Sequence, residues 1–221
     1  MIVDAALVHP STELSRLHER QSRSRDQLDA LLDSTVLATV AFVRDSHPVA
    51  LPIGAARLGD EVVIHGSTGS PWLNHLAGGV PVSVCVSALD GVLVARSGFE
   101  SSFHYRSAVL FGCFEAVEDA DKDRYLEELL ESFIPGRSAE LRPATGRELA
   151  ATLVLRLPIG SDNWSLKVAE GWPEDSDEDV AAGGWAGVVP MAVTYGMPQR
   201  APDCDPAIPV PESVRSMAGP V

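Results

Sequence analysis

Two segments of the chain carry residue types suited to holding an anion. The first is Val62-Val-Ile-His-Gly-Ser-Thr-Gly-Ser-Pro-Trp-Leu73. It reads as a strand, then His65-Gly66-Ser67-Thr68-Gly69-Ser70, then a helix. Ser70 suits the N-cap, and Pro71 suits the first helical position, where no amide is needed. Glycines let the backbone aim amides at one point, hydroxyls add donors, and a helix start adds partial positive charge. Such a loop can hold a phosphate without a Walker motif. The plainer alternative is a glycine-serine turn that only caps a helix. The second segment runs from Leu93 to Ala108 and contains Arg96, Arg106, His104 and four serines. Between residues 62 and 108 the only acids are Asp90 and Glu100. Arginine and serine at the mouth of a strand suit phosphate recognition; surface ion pairs are the alternative for each arginine.

Other chemistries lack their residues. There is no G-x-S-x-G elbow, no Walker loop and no G-x-G-x-x-G. His65 and His75 stand ten residues apart without the ligand spacing of a zinc site, so no metal site is read. Glu170–Asp179 holds six acids and reads as a solvated loop without the spacing of an EF-hand. The three cysteines, Cys85, Cys113 and Cys204, fit reduced thiols in a cytoplasmic protein. Cys85 and Cys113 lie in apolar strand-like runs and read as core filling.

These segments need strands to hold them. Ser24-x-x-Gln27 and Thr145-x-x-Glu148 have capping-box spacing and predict helix starts. Val36–Val43, Pro48–Leu58 and Glu61–Gly66 read as strands joined by short turns, an antiparallel meander. Pro81–Leu89, Val92–Arg96 and Ser107–Val117 read as three more, the last apolar on both faces. A helix is predicted over Asp121–Phe133, and strands over Thr152–Ile159, Trp164–Ala169 and Trp185–Val193. Seven of the 16 prolines fall in residues 190–221, which predicts an extended tail. The layout is an arm over 1–22, one domain over 23–195 and a proline-rich tail over 196–221. Many short strands with few helices suggest a small closed barrel with helical additions.

The 221 residues are 45% apolar and 22% charged, ordinary for one globular domain. The net charge of −14 disfavours phosphate backbones and anionic lipid, so neither nucleic acid nor membrane is an expected partner. Met1–Val8 is mildly apolar but has no basic stretch and no apolar run of signal length.

At the two anion-suited segments the sequence resembles the pyridoxamine 5′-phosphate oxidase-like flavoproteins, in the flavin-nucleotide-binding branch near the nitroimidazole-resistance proteins. The motifs that carry the resemblance are His65-Gly-Ser-Thr-Gly-Ser70, Leu89-Asp-Gly-Val-Leu-Val-Ala-Arg-Ser97 and Tyr105-Arg-Ser107. Pro135-Gly-Arg137, Thr145-Gly-Arg-Glu-Leu149, Ala151-Thr152 and Trp185-Ala-Gly-Val-Val-Pro190 extend it over roughly residues 23–195. The resemblance implies a mainly β fold: an antiparallel split β-barrel of FMN-binding type with a few peripheral helices. It implies FMN bound at a homodimer interface and flavin-dependent redox chemistry on a small-molecule substrate or electron acceptor. A non-catalytic flavin, haem or deazaflavin carrier is the alternative.

The resemblance places the phosphate at His65, Gly66, Ser67 and Ser70, and the flavin ring along Pro52 and Ile53. Tyr105, Arg106, Ser107, Lys167 and Trp185 fall at further cofactor or interface positions, with Arg96 as an added cation. No catalytic residue is assigned; His104 reads as a proton donor near the interface or as a structural histidine. Pro71 and Ala169 stand where relatives carry basic residues, so two cationic contacts are missing.

Overall fold

A computed structural model describes residues 9–218. The expectations for Met1–Val8 and for the last residues of the tail lie outside that range. The strands are β1 (Gln21–Ser22), β2 (Leu37–Arg44), β3 (His47–Leu58), β4 (Glu61–Ser67), β5 (Pro81–Val94), β6 (Ser102–Cys113), β7 (Glu115–Ala116), β8 (Thr152–Pro158), β9 (Trp164–Ala169) and β10 (Gly187–Pro190). The helices are α1 (Arg25–Asp33), α2 (Pro71–Ala77), α3 (Lys122–Phe133), α4 (Gly146–Ala151), α5 (Asp177–Ala182) and α6 (Glu212–Arg215).

Every pairing is antiparallel, in the order β1-β9-β6-β5-β2-β3-β4-β8-β7, with β10 beside β5. Phe114 alone separates β6 from β7, so the far end of the path returns to β6 and curls the sheet into a barrel. The closure is incomplete at one seam. β3 and β4 pair only where Ala55–Leu58 meets Glu61–Ile64. Beyond Ala55, β3 continues beside β2, while β4 continues beside β8 through Ser67. The two strands therefore diverge and leave a split, which makes this a split β-barrel, mainly antiparallel with a few helices.

Alternation along the strands builds the core. Val82, Val84 and Val86 of β5 face inward with Val40, Ile64, Leu110 and Leu155. Leu28, Leu31 and Leu32 of α1, and Leu73 and Leu76 of α2, join the same core. Each such burial contributes about 1.5–3 kcal/mol. Outside the barrel wall, α3 sets Tyr125 and Leu129 on Ala56, Val63 and Val154.

Several sequence expectations need correction. Pro81–Leu89 and Val92–Arg96 are one strand, β5. Its register shifts between Leu89 and Gly91, so Asp90 forms a bulge instead of a turn. β6 begins at Ser102, earlier than expected, because Ser102–His104 continue the ladder beyond that bulge. The last strand is shorter than Trp185–Val193, since only Gly187–Pro190 finds partners on β5. Cys85 is not core: it alternates with inward Val84 and Val86 and is exposed on the outer face, while Cys113 is half-buried. The acidic loop is partly ordered as α5, capped by Ser176. Both predicted capping residues, Ser24 and Thr145, accept from the third helical amide.

Candidate functional site

The split brings one group of predicted residues together. Pro52 and His65 lie on the edges that diverge beyond the Ala55–Ile64 pair, on the outer face with Ser67. Ile53 and Gly66 alternate to the inner side. Ile53 packs on the core, and a Cβ at Gly66 would stand 2.5 Å from Leu73 Cδ1. Gly66 thus lets α2 approach β4; it does not supply an unusual backbone angle.

The loop after β4 differs in detail from a ring of free amides. Thr68 N donates to Ala151 O at 2.9 Å, Gly69 N to Ser67 Oγ at 3.1 Å, and Ser70 N to Ser67 O at 3.0 Å. All three amides are engaged within the fold. The Ser70 hydroxyl makes no capping bond, and the first amides of α2 have no intrahelical acceptor by helix geometry. The donors left for a ligand are the Ser67 hydroxyl, which only accepts from Gly69 N, the Ser70 hydroxyl and the amides of Trp72 and Leu73. Along β3, the β4-facing backbone groups of residues 50–54 have no strand beside them among the described residues.

His65 projects from the outer face of β4, exposed on one side and partly shielded by the neighbouring strands on the other. Desolvation by the surrounding strands pushes its pKa below the ordinary imidazole value, so it is neutral near pH 7. Its ring makes no hydrogen bond among the described residues.

A second group gathers on β6 and β9. Ser107 lies beside Ser87 on one side and Lys167 on the other. Lys167 Nζ stands over the Tyr105 ring at 5.3 Å. Trp185 is 66% exposed just before β10. Within one chain, β5 and β2 separate this group from the split.

The two arginines belong to neither group as free cations. Arg106 makes two hydrogen bonds of 2.9 Å to the Asp90 carboxylate, which holds its pKa above the usual value. Arg96 donates from its backbone and side chain to Asp175, whose own side chain is only 2% exposed. The ion-pair alternative describes both. Asp90 stands out in the sequence only as one of two acids between residues 62 and 108, and Asp175 not at all, because its partner lies 79 residues away. His104 Nε2 is buried and has no hydrogen-bond partner among the described residues.

Comparison with known proteins agrees with this architecture. The family model described as pyridoxamine 5′-phosphate oxidase matches residues 24–163, and the chain belongs to that family. A structure described as the FAD and heme binding protein from Mycobacterium smegmatis is 65% identical. The match covers 90% of this chain and 98% of that one, with a TM-score of 0.89. The flavocytochrome Anf3 from Azotobacter vinelandii is 32% identical over 94% of this chain and 99% of its own, with a TM-score of 0.86. A Bacteroides thetaiotaomicron structure named for 5-nitroimidazole antibiotic resistance is 15% identical over 67% of this chain and 86% of its own. Its TM-score is 0.56, and that likeness speaks for the fold alone. No curated protein matches. No helix among the described residues is long and apolar enough to cross a membrane.

Proposed function

We propose that this chain is a homodimeric flavin-nucleotide protein with a heme as its second redox group, acting as an oxidoreductase on a small molecule. The observation that carries the reading is the split itself: an open β3 edge at residues 50–54 faces a hydroxyl-bearing loop. A flavin needs backbone groups along its pyrimidine edge and donors at its first phosphate, and both are at hand. FMN and FAD share those parts. FMN is what the resemblance of the motifs implies, and FAD is named for the 65%-identical relative.

The residues fit these groups unequally. Pro52 and Ile53 would flank the flavin ring, and Ser67, Ser70 and the first α2 amides would meet the phosphate. Ser107, Tyr105 and Lys167 would approach from a second copy, since one chain keeps them away from the split. For a heme, His65 is the better ligand: it is exposed, unpaired and neutral, the form that binds iron. His104 Nε2 is shut away from solvent and would need an opening. When bound, the cofactors supply the electron transfer; the chain orients them and limits water. Three free thiols fit a reducing compartment such as the cytoplasm.

The test is the absorption spectrum of protein purified without added cofactor, with the released cofactors identified by chromatography. Flavin bands with a Soret band are expected. His65→Ala should lose the Soret band and keep the flavin bands. A colourless protein that takes up neither FMN, FAD nor hemin at micromolar concentration would overturn the reading.

A further inference from the structure

We propose that the uncharged segment after β10 is an arm that lies on the outer sheet face of a second copy of this chain. This inference rests on the homodimer reading above. Residues 180–199 contain no charged side chain, in a chain that is 22% charged. Met191, Val193, Tyr195 and Met197 occupy alternate positions, the period of a strand that presents one apolar edge. All four are exposed, Val193 at 96%, and residues 191–203 are exposed throughout.

The arm is held at both ends. Met191 N donates to Asp90 O at 2.9 Å, beside β5. At the far end Ser213 is buried and bonds Glu140 through its amide at 3.1 Å and its hydroxyl. Between these anchors, Arg200 turns its guanidinium to the carbonyls of Asp205 and Ile208, so its charge stays within the tail.

The same chain carries a matching surface. Leu37 and Val43 of β2 and Cys85 and Leu89 of β5 are exposed on the outer face, next to uncharged Thr39 and Ser87. Two copies at −14 repel each other, so contact between them is favoured where charge is missing. A basic partner would be drawn to the acidic surface instead of to this face. Two-fold symmetry lets each copy give its arm and receive the other's, so each patch is covered once. The arm starts just past Trp185 and β10, so its exchange would also hold that region against the partner.

The experiment compares the full chain with the double variant Val193→Asp and Tyr195→Ser in sedimentation equilibrium. The full chain should be a dimer at micromolar concentration, and the variant's dissociation constant should rise on the order of 100-fold or more. Circular dichroism of the variant should be unchanged, since both side chains are exposed in the single chain. Hydrogen exchange on the full chain gives a readout free of mutation: amides 192–197 should be protected at high concentration and lose protection on dilution, whereas the Met191 amide, already bonded to Asp90 O, should not. If the full chain is a dimer and the variant dimerises equally well with these amides unprotected, the arm is refuted and the dimer reading stands. If the full chain is a monomer, the dimer reading fails and the arm with it.

Discussion

The loop at the split and the Leu93–Ala108 segment both read as anion sites in the sequence, and they differ in what is left free. At the split, the donors are neutral: the Ser67 and Ser70 hydroxyls and the first amides of α2. In the Leu93–Ala108 segment both arginines are engaged, Arg106 by Asp90 and Arg96 by Asp175, and beside it on β9 Lys167 has no acidic partner among the described residues. An arginine is therefore a ligand donor only after its acidic neighbours have been counted. Neutral donors on a committed loop are the better candidates.

The largest expected effect is on the packing that sets the split. Gly66→Ala forces Leu73 aside and should cost about 1–3 kcal/mol, a melting shift of roughly 2–10 °C. An unchanged melting temperature would mean that α2 is free to move away from β4.

The next test separates structural from ligand-binding arginine. Arg106→Ala and Asp90→Ala should each cost about 0.5–1.5 kcal/mol, reduced by partial exposure of the pair. The double variant should cost little more than either single change. Flavin affinity should respond alike to both substitutions. A loss of affinity confined to Arg106→Ala would move the phosphate to the Leu93–Ala108 segment and reverse the comparison.

Ser70→Ala should lower flavin-nucleotide affinity by roughly 2–13-fold, the range for one neutral hydrogen bond. Riboflavin affinity should hardly change. Because Ser70 makes no capping bond, the melting temperature of the apoprotein should stay where it is. A fall in stability without a fall in affinity would give Ser70 a structural role only.

The smallest effect concerns the tail. The Ser213 hydroxyl and amide hold the Glu140 carboxylate below its ordinary value of 4.5. A lowered folded-state value means that this docking contributes fully above 4.5 and is lost as pH falls through the folded value. Exchange of the Ser213 amide should accelerate below that pH while the barrel amides stay protected. Simultaneous loss of protection in both would show that the tail and barrel unfold together.

Local chemistry made much of this protein legible before its fold was known. Alternation and short turns mark the strands, and the Ser24 and Thr145 spacings mark helix starts, because caps and pleats are set by near neighbours in the chain. The ordered motifs from His65 to Pro190 identify the family. Tertiary structure alone decided the rest. The split depends on how far β3 and β4 stay paired, a balance between β2 pulling one strand and β8 the other. The pairing of Arg96 with Asp175 depends on a fold that joins residues 79 apart. Cys85 reads as core because its run is apolar, yet a pleat exposes every second residue, and only the register with β2 shows which half faces out.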